Sequence, residues 1–432
     1  MAALFQIAMR SLRRHLRRYL FVLVVLALGF AFISVMSALA AGMARSAENA
    51  ALRHYAGHLF VIGRDKQAGS IMVVDHPRQV TDAIARSGLP VQRLLTRTHA
   101  FDRSSLFFHG ASVRLKDLFG VDFADEAFLF SGFDYIEGGF DPGWDRETVV
   151  ISEPVARRLR ARVGDQIVLR VQTRGGQLDT RTLVVRAITA DSSIFGFARA
   201  YMHRETLTNL MELAPAQWSV AGIFLPSVHD APSWARRLEA ELAGELPTAG
   251  PIETKDALTS AIRERWQGVR YFSVSLPVYV SEVTDLLAAM ELASWLLLVM
   301  IMLVVLAATV VTYRVVLHDR AREIGTMLAV GFPRPWVVAA LAAEAAILVG
   351  IAVTAGLLIA AGISQAASLL SFDWIPGFEI FLEEGRLRAW YRPATVLRNA
   401  AVVLGVVGTV LCVMVVSTVH RTIPALIKGE TT

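Results

Sequence analysis

Residues 19–43 read YLFVLVVLALGFAFISVMSALAAGM, and this stretch contains no charged side chain. The hydrocarbon core of a bilayer is about 30 Å thick, and an α-helix needs about 20 apolar residues to cross it. A helix satisfies its own backbone hydrogen bonds, as any segment in lipid must. The stretch therefore predicts a transmembrane helix close to the N-terminus.

Three more apolar runs lie in the last third of the chain. They predict a stalk and second transmembrane helix at 283–316, a third helix at 336–370 and a fourth at 399–419. A polar stretch, 44–282, separates the first helix from the second. The sequence thus predicts an α-helical membrane protein with four transmembrane helices in a 1 + 3 arrangement. A large α+β extracytoplasmic domain is inserted between helices 1 and 2. The mean hydropathy of +0.48 agrees with this class.

Basic side chains are concentrated in three segments beside the apolar runs: residues 10–18, the loop 317–335 and the tail 420–432. The positive-inside rule places these segments, and with them both termini, in the cytoplasm. The domain 44–282 and a short loop, 371–398, then lie outside. The net charge of +5 is also a feature of proteins that bind nucleic acids, which is the alternative interpretation. The basic clusters form no motif interleaved with aromatic residues, so topology is the favoured interpretation.

Residues 1–18 are predicted to form a cytoplasmic amphipathic helix, because apolar side chains recur on one helical face and arginines lie elsewhere. A simple basic flank is the alternative. The arginine-rich start, the apolar run and Ala38-Leu39-Ala40 also resemble a cleavable signal peptide. The run exceeds the apolar region of about 7–15 residues in such peptides, which favours a retained span.

Short runs rich in Val, Ile and Leu predict strands in the extracytoplasmic domain. They are His58–Arg64, Thr148–Ser152, Gln166–Thr173, Thr180–Ala187 and Gly222–Pro226. Amphipathic helices are predicted at Glu153–Val163 and Trp234–Leu246, and 253–291 is predicted to be largely helical. The single cysteine, Cys412, falls in the fourth apolar run. The domain therefore has no disulfide and must be held by an ordinary core.

The common signatures of catalysis are missing from the sequence. It has no GxxxxGK[ST] phosphate loop, no GxSxG elbow and no HExxH helix. The pair His54 and His58 is more typical of structural histidines than of a metal site. Asp122, Asp125 and Glu126 are interpreted as a solvated acidic group. The chain is therefore predicted to be non-catalytic, with no metal or cofactor of its own.

Glu344 interrupts the third apolar run near its cytoplasmic start. An ionisable side chain at membrane depth is a candidate for function. Its low position favours snorkelling, or an ion pair with an arginine of the preceding loop. A proton relay is less favoured, because the other apolar runs offer no partner acid or histidine.

The cytoplasmic loop 317–335 contains the most specific motif of the chain, REIGTMLAVG at 322–331. It predicts a short helix with a charged start, an apolar face and a glycine C-cap, followed by Pro333 and Pro335. Such a helix can dock into a groove on a soluble partner. A helix lying on the membrane surface is the alternative.

This motif resembles the REIG…AlG signature of the MacB/FtsX-type (type VII) ABC transporter permeases, in which it is the coupling helix that contacts the ATPase. The position of Glu344 and the segment AMRSLRR at 8–14 also match that family. VVISEPVARRLRARVGDQIV at 149–168 is similar to a stretch of its external domain. GHLFV at 57–61 resembles a strand of the LolC/LolE-like lipoprotein-releasing permeases. The resemblance covers essentially the whole chain.

The resemblance implies a permease subunit of the bacterial inner membrane with a periplasmic domain. It implies a second permease, identical or a related paralogue, and two copies of a cytoplasmic ABC ATPase that binds ATP and Mg²⁺. Closure of the ATPases would move the coupling helices, stalks and periplasmic domains (mechanotransmission). The substrate would be a lipoprotein or another lipophilic molecule, with a periplasmic chaperone or adaptor as a further candidate partner. A MacB-like efflux permease and an FtsX-like regulator of a periplasmic hydrolase remain open as alternatives.

Two groups of residues are candidates for contacts with partners. The resemblance assigns ATPase coupling to Arg322, Glu323, Ile324, Gly325, Met327, Leu328 and Gly331. An aromatic group in the domain could receive an acyl chain or a periplasmic protein: Phe128, Phe130, Phe133 and Tyr135. The favoured alternative is that these aromatic rings belong to the core of the domain.

Overall fold

The computed structural model describes residues 16–66, 70–190, 198–372, 381–382 and 386–420. The chain divides into two compact units. The helical unit comprises Met1–Ala44, Leu287–Phe372 and Arg386–Thr432, and the α/β unit comprises Arg45–Leu286 and Asp373–Gly385. Most of the N-terminal helix predicted at 1–18, and all of the tail beyond His420, lie outside the described residues.

The helices are α1 (Leu16–Tyr55), α2 (Pro77–Arg86), α3 (Ala127–Phe130), α4 (Glu153–Leu159), α5 (Arg204–Leu210), α6 (Ala231–Ala243), α7 (Lys255–Arg263), α8 (Leu276–Tyr279), α9 (Ser281–Asp319), α10 (Ala321–Ala329), α11 (Arg334–Ala367) and α12 (Pro393–Val419). The strands are β1 (Leu59–Asp65), β2 (Ile71–Met72), β3 (Arg93–Phe108), β4 (Ala111–Val121), β5 (Tyr135–Gly138), β6 (Thr148–Ser152), β7 (Gln166–Gln172), β8 (Leu178–Thr189), β9 (Arg199–His203), β10 (Val220–Phe224) and β11 (Val269–Ser275).

Among the described residues, four helices are long and apolar enough to cross a bilayer. Their candidate spans are Tyr19–Tyr55, Glu291–Asp319, Arg334–Ala367 and Pro393–Val419, in α1, α9, α11 and α12. Each span corresponds to one of the apolar runs in the sequence. Two of the helices are longer than those runs. α1 continues past residue 43 to Tyr55, and α9 already begins at Ser281.

Helix α1 is the central helix of the helical unit. In its most apolar stretch of 18 residues, half of the residues are buried, compared with 17–28% in the corresponding stretches of the other three spans. A Cβ at Gly356 of α11 would lie 2.5 Å from the carbonyl oxygen of Ala27, so only glycine allows this close approach. Ala352 and Ala360, on the same face of α11, are fully buried and also pack beside α1. The row of small residues thus serves packing within one chain.

The α/β unit is built on an eleven-stranded sheet with the order β11-β1-β10-β3-β4-β9-β6-β8-β5, in which β2 also pairs with β1, and β7 with β3 and β8. The long strand β3 belongs to both halves of the sheet. Its first part pairs with β10 and its last part with β7, on either side of an irregularity between Phe101 and Ser104. Helices α4 and α5 pack on β4, and α6 packs on β11 and β1.

The five predicted strands are confirmed as β1, β6, β7, β8 and β10, and the two amphipathic helices as α4 and α6, with shifted ends. α4 ends at Leu159 because Arg160 adopts a left-handed conformation with φ of 59°. The prediction that 253–291 is largely helical is wrong at Val269–Ser275. This stretch is rich in β-branched and aromatic side chains, and it pairs with the whole length of β1.

Candidate functional site

The loop between the second and third spans forms the predicted short helix, α10. Gly331 follows it with φ of +99°, a conformation that glycine adopts without steric cost. The N–H groups of Gly331 and Phe332 donate to the carbonyls of Leu328 and Met327, each at 3.1 Å. These bonds satisfy carbonyl groups at the end of the helix. The predicted glycine C-cap is therefore present.

The seven predicted coupling residues fall on two faces of this segment. The exposed residues are Arg322, Glu323, Met327 and Gly331. The buried residues are Ile324, Gly325 and Leu328. The apolar stripe therefore holds α10 against the rest of the helical unit, and it is not free to dock into a partner. The surface that a partner can reach combines the charged pair with Met327 and with Val330, which is 80% exposed.

A buried ion pair anchors the start of α10. Nη1 of Arg320 lies 2.8 Å from Oε2 of Glu344 on α11, and Nε of Arg320 lies 3.2 Å from Oε2 of Glu323. Glu344 thus forms the predicted pair with an arginine of the preceding loop. Removing one partner of such a pair leaves an uncompensated buried charge, at a cost of about 3–5 kcal/mol. The pair therefore fixes α10 to the third span.

Tyr19 completes this polar cluster, and the sequence analysis did not single it out. Its hydroxyl accepts a hydrogen bond of 2.9 Å from Nη1 of Arg320, and it is buried. Its ring lies near that of Tyr313, with centroids 6.5 Å apart. A tyrosine at the end of an apolar run is a common interfacial residue, which is the only signal the sequence offered. Through Tyr19, the loop between the second and third spans also contacts the first span.

The far end of α1 is held inside the α/β unit. Nη1 of Arg97 on β3 donates to the backbone carbonyl of His54 at 2.6 Å. A cation at a helix C-terminus satisfies a free carbonyl and interacts favourably with the helix dipole. The ring of His54 lies 2.9 Å (Nδ1) from the hydroxyl of Tyr201. The last turn of α1 is thus fastened by polar side chains of two strands.

Glu126 is buried, which corrects its interpretation as a solvated carboxylate. Both of its oxygens accept hydrogen bonds from Nε of Arg97, at 3.0 and 3.1 Å. Burial raises the pKa of Glu126, and the guanidinium of Arg97 opposes that rise. Asp125 is exposed, as expected, whereas Asp122 is half-buried. Arg97 therefore links the end of α1 to Glu126, which directly precedes the segment with Phe128, Phe130, Phe133 and Tyr135.

Most of the predicted aromatic group lies in the core of the α/β unit. Phe130 and Phe133 are buried in a cluster with Phe119, Phe123 and Tyr201. The favoured prediction, that they belong to the core, holds for these two rings, and they do not form a surface. They lie on the inner side of α3 and the following turn. Tyr135 is half-buried, and its hydroxyl donates to the carbonyl of Phe130 at 2.8 Å.

Phe128 is the member of the predicted group that remains accessible, at 42% exposure. The guanidinium carbon of Arg93 lies 4.0 Å from the centroid of its ring. Phe224 packs against the same ring, with centroids 5.5 Å apart. A single ring covered by an arginine offers only a small apolar contact, so the candidate surface reduces to Phe128 and its neighbours.

A second buried charge cluster lies on β3, β4 and β9. Asp117 accepts from Nε2 of His99 at 2.8 Å and from Nη2 of Arg199 at 2.9 Å. Burial by itself would raise the pKa of Asp117, but Arg199 and His99 hold it well below its usual range. The guanidinium of Arg199 also lies over the ring of Tyr55, 4.9 Å from its centroid. This cluster contributes a second contact to the last turn of α1.

The two histidines considered for metal binding have other roles. His54 contacts Tyr201, and Nδ1 of His58 accepts from the backbone N–H of Leu225 at 3.0 Å. Burial lowers the pKa of His58. In the part of the chain that the structure describes, no group of three His, Cys, Asp or Glu side chains could hold a metal ion.

Together these features define a class of membrane protein. Its members have long apolar helices, an α/β domain inserted after the first of them, and a short charged helix between the second and third. Two family models match the chain: the MacB-like periplasmic core domain over residues 20–240, more than half of the 432 residues, and the FtsX-like permease C-terminal over residues 295–421. The chain belongs to the MacB/FtsX family of ABC transporter permeases. Permeases of this family work with an ABC ATPase.

Two solved structures show a weak similarity to part of the chain. The periplasmic region of MacB from Actinobacillus actinomycetemcomitans has 13% identity over 54% of this chain and 96% of that one, with a TM-score of 0.31. A domain of a permease protein from Porphyromonas gingivalis has 14% identity over 52% of this chain and 91% of that one, with a TM-score of 0.29. Scores this low do not by themselves establish a shared fold. No curated protein is similar enough in sequence to count as a relative.

Proposed function

We propose that this chain is the permease subunit through which a separate cytoplasmic ABC ATPase moves a periplasmic domain. The movement would extract or export a lipoprotein or another lipophilic substrate from the outer leaflet of the inner membrane. ATP and Mg²⁺ would be bound by the ATPase and not by this chain. One observation carries the proposal: α10 presents Arg322, Glu323 and Met327 to solvent while its opposite face is locked into the helical unit.

The anchoring of α10 supports a role in transmitting force. A displacement of α10 would act first on Arg320, because this residue precedes the helix and is bonded to Glu344 and Tyr19. Tyr19 lies near the start of α1, a continuous helix from Leu16 to Tyr55. Forty residues of α-helix rise by about 60 Å. The opposite end of this helix carries its own polar contacts to Arg97 and Tyr201.

The proposed assembly contains two ATPases and two permeases, the second permease being an identical or related chain. Arginines at 314, 320, 322 and 334 lie at or between the ends of the second and third spans. Their positions support a cytoplasmic location for α10 and for both termini. A periplasmic chaperone or adaptor would meet the α/β unit.

The test uses the full chain co-expressed with the ABC ATPase that co-purifies with it from native membranes, and the complex is reconstituted in nanodiscs. Glu323→Arg reverses a charge on the exposed face of α10. We expect loss of permease-stimulated ATP hydrolysis and weaker co-purification of the ATPase, with only a small fall in melting temperature from the lost bond between Arg320 and the half-exposed Glu323. Asp82→Arg, an equivalent change at an exposed position of α2, is the matched control. Unchanged stimulation in Glu323→Arg would reject α10 as the coupling element.

The same preparation separates the proposed function from its alternatives by native mass spectrometry. A two-by-two assembly carrying an acylated protein supports extraction. The same assembly with a bound periplasmic hydrolase and no lipid substrate would favour the FtsX-like regulator. Binding of an adaptor protein and a soluble amphiphile would favour a MacB-like efflux permease.

A further inference from the structure

Two helices, α1 and α9, have residues in both units of the chain, and they come together at an aromatic contact inside the α/β unit. The α/β unit contains α1 from Arg45 to its end at Tyr55, and α9 from its start at Ser281 to Leu286. Tyr279, the last residue of α8, lies two residues before α9. Its ring and that of Tyr55 have centroids 5.0 Å apart, at an interplanar angle of 78°. The end of α1 and the approach to α9 therefore touch directly.

A third ring completes this contact. The ring centroid of Phe60, on β1, lies 5.5 Å from that of Tyr279 and 6.4 Å from that of Tyr55. Aromatic pairs at these separations and tilted angles attract each other beyond the effect of burying their surface. The three rings of Tyr55, Phe60 and Tyr279 form what we call the aromatic joint.

Arg199, on β9, packs against the aromatic joint. Its side chain is buried, and its guanidinium carbon lies 4.9 Å from the ring centroid of Tyr55 and 5.2 Å from that of Phe119. A cation at such a distance is attracted by the electrons of the ring. Nη2 of Arg199 donates to Oδ2 of Asp117 at 2.9 Å. A guanidinium held by a carboxylate of the sheet therefore contacts the last residue of α1.

Burial makes Arg199 an unusual residue for this place. In the part of the chain that the structure describes, its Nε and Nη1 atoms are buried and have no hydrogen-bond acceptor. A buried ion pair can often be replaced by apolar side chains of similar volume without loss of stability. Stability alone therefore does not account for the guanidinium. Its planar group, held by Asp117, supplies a fixed position for the ring of Tyr55.

We propose that Arg199 is a positioning residue that holds Tyr55 against Tyr279, so that the end of α1 and the start of α9 keep one arrangement. Asp117 is the counter-charge that orients the guanidinium. The two helices then shift together, and the sheet that carries Arg199 and Asp117 follows them. This role extends the proposed function, on which it rests, because it names the residues that join the displaced helices to the α/β unit.

The test measures a distance between the two helices in the full chain, in complex with the co-purifying ATPase. Cys412→Ser removes the native cysteine. Asn49→Cys and Asp285→Cys then carry spin labels at exposed positions, each six residues from a tyrosine of the aromatic joint. In pulsed electron paramagnetic resonance we expect one narrow distance distribution, which stays the same in the nucleotide-free and ATP-bound complexes.

Two variants are compared in this labelled background. Arg199→Met/Asp117→Asn removes both charges but keeps a side-chain oxygen that can accept from His99, and it should broaden the distance distribution. Arg174→Met/Asp75→Asn is the matched control, since it removes an ion pair of 3.0 Å between the turn after β7 and the segment after β2. The distribution should stay narrow in this control.

Each outcome decides the proposal. Broadening in Arg199→Met/Asp117→Asn alone supports it, because a purely structural role would lower the melting temperature without changing the distance in the folded protein. A narrow distribution in that variant, or equal broadening in the control, overturns it. If the variant does not fold, Tyr279→Leu decides in the same way, since it removes one ring of the aromatic joint and keeps both charges.

The wild-type complex separates this proposal from the proposed function. A distance that changes with ATP while hydrolysis is stimulated overturns the fixed arrangement and leaves the proposed function standing. Absence of stimulated hydrolysis rejects the proposed function and, with it, the role of Arg199 in joining displaced helices.

Discussion

The guanidinium of Arg320 and the carboxylate of Glu344 meet at 2.8 Å, with side chains only 6% and 4% exposed. The loop between the second and third spans and the third span itself therefore share one buried charge pair. A buried pair gains little net free energy over an apolar replacement, but it strongly penalises the loss of one partner. The pair thus restricts where α10 can sit.

Glu344→Gln should destabilise the folded protein, because it leaves the buried guanidinium of Arg320 with only the half-exposed carboxylate of Glu323 as counter-charge. We expect a loss of about 3–5 kcal/mol in the free energy of unfolding, seen as a lower melting temperature in detergent. Arg320→Met/Glu344→Leu should recover much of this stability while losing ATPase coupling. Additive losses in the double variant would show that the two residues act independently.

Gly331→Val should uncouple the permease, because a β-branched residue opposes the left-handed conformation that ends α10. The cost of that conformation is roughly 1–2 kcal/mol, enough to shift the end of the helix and the exposed Val330. The measurement is permease-stimulated ATP hydrolysis in nanodiscs. Gly405→Val is the control, since a Cβ there meets nothing within 4 Å. Full stimulation in Gly331→Val would argue against a role for the cap.

Gly356→Ala should lower the melting temperature, because its Cβ would lie 2.5 Å from the carbonyl oxygen of Ala27 and would push α11 from α1. The same substitution at Gly350, on the same helix, meets nothing within 4 Å. Gly350→Ala should be neutral or stabilising, by up to about 1 kcal/mol from helix propensity. Similar melting temperatures for the two variants would mean that α1 and α11 lie far enough apart to accommodate a Cβ at position 356.

Asp117 should make the stability of the α/β unit depend on pH in the acid range. Its pKa in the folded protein is lowered by Arg199 and His99, whereas an unfolded aspartate has a pKa of about 3.9. Its stabilising contribution is therefore complete above that value and is lost as the pH falls toward the folded pKa. Asp117→Asn should be markedly less stable than the wild type at pH 7, and the difference should shrink below about pH 4.

The measurement for Asp117 is the unfolding transition of the full chain between pH 3 and 7, followed by near-UV circular dichroism. Asp82→Asn, at an exposed site, should leave the transition unchanged throughout this range. A stability difference for Asp117→Asn that stays constant with pH would show that the carboxylate contributes through shape and not through charge.

Local patterns predicted much of the architecture. The apolar runs gave the spans, since length and hydropathy alone decide whether a helix can cross lipid. The glycine at 331 and the charged start of α10 predicted the short helix of this loop. Glu344 was recognisable because a carboxylate in an apolar run requires a partner. In contrast, β11 was missed because 253–291 offers no turn signal stronger than Pro277.

The polar contacts of the candidate site were harder to predict. Tyr19 and Arg320 are 301 residues apart in the sequence, and Arg97 and Glu126 are 29 apart. Nothing in either neighbourhood specifies the other, because tertiary packing alone brings them together. The faces of α10 were also ambiguous, since an amphipathic helix can bury its apolar stripe in its own chain or in a partner. Packing against the spans decided between them.

Strands β1 and β11 run side by side, with Leu59 opposite Ser275, and the N–H of Leu276 donates to the carbonyl of His58 at 2.8 Å. The chain therefore enters the sheet of the α/β unit at β1 and leaves it at β11 through neighbouring residues. Such an insertion can be exchanged without rebuilding its host. A different domain could therefore be inserted at the same place, because the two chain ends that would have to be joined to it are already neighbours.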